Sequence, residues 1–169
     1  GVYLDLVSVS LDAGPAGLAA ARQLRSLATD LDPVELRGSL GGDPVGWAAR
    51  TGAKPELAQL GALAELAADC PDLTPVTIDA TIYHDAGGTD TDELAISLAV
   101  GVAYLRALVE AGYDLARAHR LIEFRYAVTA DQFGSIAKLR AARWLWDRVG
   151  ELSGLAERHG QRQHAVTAC

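Results

Sequence analysis

The stretch Pro75 to Asp92, PVTIDATIYHDAGGTDTD, decides how the chain is read. Val76 to Thr81 alternates apolar and small polar residues and is rich in β-branched side chains, the pattern of a half-buried strand. The chain then passes through Ile82, Tyr83, His84, Asp85 and Ala86 to the glycine pair Gly87-Gly88. Thr89-x-x-Asp92 opens a long apolar helix in the manner of a capping box. Strand, loop and capped helix make one βα unit, and in such units chemistry sits in the loop after the strand.

Working outward, the same alternation recurs. Val2 to Leu11 reads as a first strand, and Asp12 with Pro15 suits a helix start. Leu18, Ala21, Leu24, Leu27 and Ala28 give that helix its apolar side. Val34 to Leu40 is a second strand, ending at Gly41-Gly42. Asp43-Pro44 starts a short helix through Arg50, and another helix runs from about Glu56 to Cys70. After the third strand, the helix from Asp92 to about Glu110 carries Leu94, Leu98, Val102, Leu105 and Val109 on one side. Ile122 to Val128 is a fourth strand. Thr129-x-x-Gln132 reads as a second capping box, and its helix runs to about Leu155 with a stripe of Phe133, Ile136, Ala137, Ala141, Trp144, Leu145, Val149 and Leu152. Gln163 onwards begins a fifth strand.

This order, β-α-β-α-α-β-α-β-α-β, predicts an α/β fold with parallel strands and right-handed crossovers. It fits an open doubly wound sheet or part of a TIM-type (βα)8 barrel. LDAGPAG after the first strand lacks the G-x-G-x-x-G spacing, which argues against a dinucleotide domain.

The 169 residues are half hydrophobic and 22% charged, as in a globular domain. A net charge of −7 gives no electrostatic reason to expect nucleic acid or an anionic membrane as partner. No run of about 18 apolar residues without a charge indicates a membrane span, and no signal peptide is visible. Cys70 and Cys169 match no metal-ligand spacing, and a reduced, cytoplasmic setting is expected. A start at Gly1 directly before a strand, no methionine, and an end at Cys169 within another strand read as a segment of a longer protein.

Several side chains could carry chemistry, each with a plainer reading. His84-Asp85 suits a base with its carboxylate or a pair of metal ligands, and equally a solvated loop histidine beside a turn-capping aspartate. Lys138, Arg140, Arg143 and Arg148 suit a phosphate or CoA-type ligand, and equally a solvated helix face. Arg162 and His164, two apart on the last strand, share a side and suit an anion. On the strands, Glu35, Arg37 and Ser39, then Thr77, Asp79 and Thr81, then Glu123 and Arg125 alternate with apolar residues. In a barrel the apolar set would face the helices and the polar set the bore. Charges of both signs would pair and fill it.

With the βα unit around Thr81 to Thr91 and the run Phe133-x-x-Ile136-Ala137-Lys138-Leu139-Arg140-Ala141-Ala142-Arg143-x-Leu145-Trp146, the chain resembles the barrel domain of the methylmalonyl-CoA mutase family over nearly its whole length. Gly38-Ser39-Leu40-x-x-Asp43 and Arg162-x-His164-x-x-Thr167 also resemble family segments, G-T-L-Q-N-D and R-T-H-x-Q-T. The resemblance implies residues 1–169 as a partial barrel domain of about five strands. The family's D-x-H-x-x-G cobalamin domain is absent from this segment.

The departures point further. Catalytic chains of the family carry G-Y-H-x-Q-E-A-G, whose Tyr and His positions fall on Thr81 and Ile82, while Tyr83 and His84 sit two residues late. The Gln of G-T-L-Q-N-D is Gly41, and the substrate-carboxylate Arg falls at Thr51, with Arg50 beside it. Glu123 and Arg125 stand where catalytic chains have Ser and Phe, in a bore through which the family threads CoA. The resemblance is therefore to the small, non-catalytic type of subunit. It implies a heterodimer with a catalytic large subunit, adenosylcobalamin and a CoA thioester in the intact complex, and no catalytic or metal residue here. Arg50, Tyr83, His84, Arg162 and His164 are the candidate substrate contacts. Two other readings stay open: a catalytic chain with a shifted Tyr83-His84 loop, and a metal-dependent barrel lyase using His84, Asp85 and Asp79.

Overall fold

The computed structural model describes residues 2–156 and 160–167. Its elements are β1 (Val9–Ser10), a 3-10 turn (Gly14–Ala16), α1 (Gly17–Leu27), β2 (Gly38–Gly42), α2 (Pro44–Thr51), α3 (Gln59–Leu66), β3 (Leu73–Asp79), α4 (Thr81–Asp85), α5 (Asp90–Glu110), α6 (Leu115–Arg120), β4 (Ile122–Val128), α7 (Gln132–Leu152) and β5 (Arg162–Thr167). The sheet order is β1-β2-β3-β4-β5, and the pairs β1/β2, β2/β3 and β4/β5 are parallel. A sheet that adds each strand beside the last has the order of a (βα)8-type barrel; a doubly wound sheet turns back at a switch point. The expected α/β class and its alternating βα units are present. The chain divides into two compact units, residues 1–77 and 78–169.

In the first unit, Ala21, Leu24 and Ala28 pack with Leu36, Leu40, Leu63, Ala67, Cys70 and Leu73. Leu27, expected on that side, is exposed. The first strand is only Val9–Ser10, shorter than the expected 2–11, because the chain turns earlier: Leu6 N–H donates to the Tyr3 carbonyl. Helix α1 starts at Gly17, with Pro15 in the 3-10 turn before it. The second strand lies later than the expected 34–40. Asp32 accepts from Val34 N–H at 3.1 Å through its side chain and from Glu35 N–H at 2.8 Å through its carbonyl, which holds this segment in a turn. Glu35 and Arg37 thus lie outside the strand, and Arg37 donates to the Asp5 carbonyl. Asp43 caps α2 through Gly46 N–H at 3.0 Å, as its place before Pro44 predicts. Helix α3 is shorter than the expected 56–70.

Strand β3 begins and ends earlier than the expected 76–81, and all seven of its residues are buried rather than half of them. A central parallel strand is covered on both faces. Thr81 instead opens α4, its N–H and hydroxyl both donating to Asp79 Oδ1. The stretch read as a loop is therefore a short helix.

In the second unit, β4 matches its expected bounds, and Phe124 meets Trp146 of α7 at a ring distance of 4.9 Å. The Thr89/Asp92 capping box is formed. The buried residues of α5 are Glu93, Ser97, Val100, Gly101, Tyr104, Leu105 and Leu108; of the expected line Leu105 is buried, while Leu94, Leu98 and Val102 are half-buried and Val109 is exposed. Small Ser97 and Gly101 let the buried side pack closely: a Cβ on Gly101 would lie 2.7 Å from the Trp146 ring. Helix α6, capped by Asp114, was not foreseen.

The second expected capping box is not formed. Asp131 caps α7 through Gly134 N–H, while Thr129 Oγ1 accepts from Asp131 N–H. The buried line of α7 is Lys138, Ala142, Trp146 and Gly150. Phe133, Ile136, Trp144 and Leu152, expected inside, are exposed. The bury-the-apolar rule loses here because the inner line is set by Lys138, which reaches Glu93 and Asp90, and by Trp146, which packs on Phe124, with small Ala142 and Gly150 between and beyond.

Gly41, at φ 66°, sits in the irregular step of β2 between Ser39 and Gly42, and a Cβ there would collide with the Leu11 backbone carbonyl. Gly52, at φ 73°, has open space around it. Gly41→Ala is expected to destabilise by about 2 kcal/mol or more and Gly52→Ala by only about 1 kcal/mol. Urea unfolding midpoints of the two variants measure the difference.

Candidate functional site

The ionisable groups that the second unit gathers lie at the C-terminal end of β4, where βα folds place their chemistry. The Lys138 side chain is buried, with Nζ 2.6 Å from Glu93 Oε2 and 2.7 Å from Asp90 Oδ1. Glu93 is also buried, and its other oxygen accepts from the backbone N–H of Ala127 at 2.8 Å. Burial would lower the Lys138 pKa, but the bonds to Asp90 and Glu93 outweigh it and hold the ammonium above the usual lysine value. His84, half-buried at the end of α4, offers a ring nitrogen within 4.8 Å of the Asp90 and Glu93 oxygens. Such a set of donors suits a cation, and the lysine ammonium already supplies one. Beside this group, Tyr126 hydroxyl lies 3.0 Å from Ser97 Oγ, and burial pushes its pKa up to about 12.

Polar side chains on the strands pair among themselves. In the first unit Ser39 Oγ meets Thr77 Oγ1 at 2.5 Å. In the second, Arg125 Nη1 lies 3.4 Å from Asp79 Oδ2, and His164 Nε2 lies 3.1 Å from the buried Glu123 Oε2. Ile122, Phe124 and Tyr126, on the opposite side of β4, are buried with the helices. The division of β4 into a charged side and a helix side follows its alternation.

The expected site residues are dispersed. Arg50, at the end of α2 in the first unit, has Asp12 Oδ1 at 3.9 Å. Tyr83 and His84 lie side by side on α4, both half-buried. Arg162 is exposed on β5 opposite Glu123 in the register, and His164 is held by that glutamate. Asp85 is exposed, and Asp79 is engaged by Thr81 and Arg125, so His84 keeps company with Asp90 and Glu93 instead. Of the expected basic face on α7, Lys138 is in the core, Arg143 donates to Gln163 and Arg148 pairs with Glu151. Sequence reasoning missed Asp90 and Glu93. The available signal was a carboxylate in line with Ser97 and Gly101, and a lysine in line with Ala142 and Gly150.

The family model of methylmalonyl-CoA mutase matches residues 1–168. The chain is 52% identical to the methylmalonyl-CoA mutase small subunit of Streptomyces virginiae, over 99% of this chain and 28% of that protein. It is 43% identical to the small subunit of Propionibacterium freudenreichii subsp. shermanii, over 99% of this chain and 27% of that protein. Similarity extends to the large subunit of Streptomyces virginiae, 40% identical over 47% of this chain and 11% of that protein. The chain thus spans little more than a quarter of the small subunits it matches. No helix among the described residues is long and apolar enough to cross a membrane.

Removing the lysine leaves Glu93 charged, buried and without its cation. Lys138→Met is expected to destabilise by about 3–5 kcal/mol, and Glu93→Gln in the same chain to restore part of that loss. A double-mutant cycle in urea measures the coupling. Lys138 and Tyr126 both have raised pKa values, so both bind protons more tightly folded than unfolded. Their contribution is complete below about pH 10, where the unfolded groups are still protonated, and is lost as pH rises towards 12 and beyond. Stability measured from pH 9 to 12 is expected to fall, and to fall less steeply in Tyr126→Phe.

Proposed function

The chain belongs to the methylmalonyl-CoA mutase family, and from that premise we propose that it is a segment of a small, non-catalytic mutase subunit. In this reading residues 1–169 are part of one barrel domain, and the chain is the structural partner of a catalytic large subunit. The cytoplasmic complex would interconvert methylmalonyl-CoA and succinyl-CoA. The names of the small and large subunits it resembles support the pairing.

One observation carries the non-catalytic part. The charged groups on the strands away from the helices are already paired, Asp79 with Arg125 and Glu123 with His164. A thioester threaded along that side would meet the buried Glu123 carboxylate and would have to displace groups that are already engaged, at a cost in desolvation and lost pairing. Among the described residues the histidines do not fit a corrin either. His119 is buried and stacked on Trp146 at 4.6 Å, His164 is engaged by Glu123, and His84 lies with the Lys138 group. Adenosylcobalamin is accordingly assigned to the intact complex and not to this segment. There it would supply the radical chemistry, while protein positions the substrate and excludes water.

Calorimetric titration of the full-length small subunit with succinyl-CoA tests the reading. The expected result is no binding by the subunit alone, with turnover appearing only after the large subunit is added. Micromolar binding by the subunit alone would overturn it. That result would favour a catalytic chain with a shifted Tyr83-His84 loop.

A further inference from the structure

The first unit contains a cavity of about 190 Å³, lined by the segments that follow β1 and β2. It lies among the 3-10 turn after β1, helix α2 after β2, and the stretch that leads into α3. These are the connections on which βα folds hold their ligands. Pro15, Pro44 and Trp47 give the cavity apolar walls, while Lys54, Glu56 and Gln59 add a cation, a carboxylate and an amide. The Trp47 ring is laid on Gly14, where a Cβ would come within 2.6 Å of it. A side chain at that position would push the indole aside, so bare backbone sets this wall.

The polar groups here differ from the charged groups on the strands. Arg125 and Glu123 are engaged by Asp79 and His164, and Lys138 by Glu93. The side chains of Lys54, Glu56 and Gln59 make no hydrogen bond or ion pair among the described residues. Lys54 and Glu56 stand two residues apart, both exposed, and do not pair with each other. Uncommitted polar groups converging beside an aromatic wall are the composition of a ligand site.

Size and charge narrow the ligand. An apolar cavity of about 150 Å³ takes up benzene, so this one accommodates a single planar ring stacked on the indole. Its two charges sum to zero. A ligand of one charge would satisfy one of Lys54 and Glu56 and meet the other as a like charge; a phosphate at Lys54 would also face Glu56. A zwitterion satisfies both, with its carboxylate at Lys54 and its ammonium at Glu56. The Gln59 amide can donate to the first or accept from the second.

We propose that this cavity binds a small zwitterion carrying one planar ring, the chemistry of an aromatic amino acid. None of its residues is among the candidate substrate contacts, so the site goes beyond the subunit reading and is tested apart from it.

Equilibrium dialysis of the full-length small subunit uses three probes that share a ring: L-phenylalanine, 3-phenylpropionate and phenethylamine. The expected Kd for L-phenylalanine is roughly 0.1–1 mM, with each singly charged probe at least fivefold weaker. Lys54→Gln should weaken L-phenylalanine and 3-phenylpropionate at least fivefold and spare phenethylamine, while Lys54→Arg retains all three. Glu56→Gln should weaken L-phenylalanine and phenethylamine and spare 3-phenylpropionate. Trp47→Leu should weaken every probe at least tenfold, with circular dichroism as the check on folding. The two exposed positions carry the test if that variant does not fold. No saturable binding of L-phenylalanine up to about 10 mM would overturn the proposal. Affinities that the Lys54 and Glu56 variants leave unchanged would do the same, and tighter binding of adenosine monophosphate would assign the cavity to a nucleotide instead.

Discussion

A buried ammonium cannot stand alone, and the second unit is arranged around that constraint. Lys138 reaches the interior from α7 and meets Glu93 and Asp90 from α5. Glu93 in turn holds the Ala127 N–H near the end of β4. Two helices and a strand are thereby tied at one point. Apolar packing of Trp146 on Phe124 and over Gly101 already resists rotation of α7 on the sheet. The desolvated ion pair adds to this, because every displacement uncovers a charge. The small residues follow from this. With Lys138 fixed inward, Ala142, Trp146 and Gly150 must also face inward, and Gly101 must lie under the Trp146 ring.

The same constraint explains which parts of the fold were legible in the sequence. The alternation of β4 was sufficient, since its apolar residues face the helices and its charges do not. The Thr89/Asp92 box was legible because its partners are local. Helix α7 was not. Its apolar residues form a plausible stripe, but its orientation is decided by a lysine whose partners lie 45 and 48 residues away in the chain. No local pattern reports that. β2 slipped for a different reason: the turn at Asp32-Pro33 captures backbone groups that the alternation would have given to a strand. Arg162 and His164 lie two apart on β5 as alternation predicts, while Glu35, Arg37 and Thr81 fall outside the strands it assigned them. His84 was singled out with the wrong companions, because Asp79 is engaged by Thr81 and Arg125.

The strand charges bear on function through the same accounting. A βα fold that binds a large anionic ligand must leave cations or backbone donors uncommitted where the ligand lies. Here Arg125 is committed to Asp79, and Glu123 places a carboxylate deep beside His164. Each pair is neutral or nearly so when charged on both sides, which makes the strands self-sufficient.

The strand side and the helix side of the second unit are held by different groups, Asp79–Arg125 and Glu123–His164 on one and Lys138 with Glu93 and Asp90 on the other. The helix layer keeps its packing through the Lys138 group irrespective of what the strands bind, so constraints on the two sides separate. The Lys138 group also accounts for where apolar side chains are spent on α7. Phe133 and Trp144 contribute nothing to the unit's own core, since the buried line beneath them is complete.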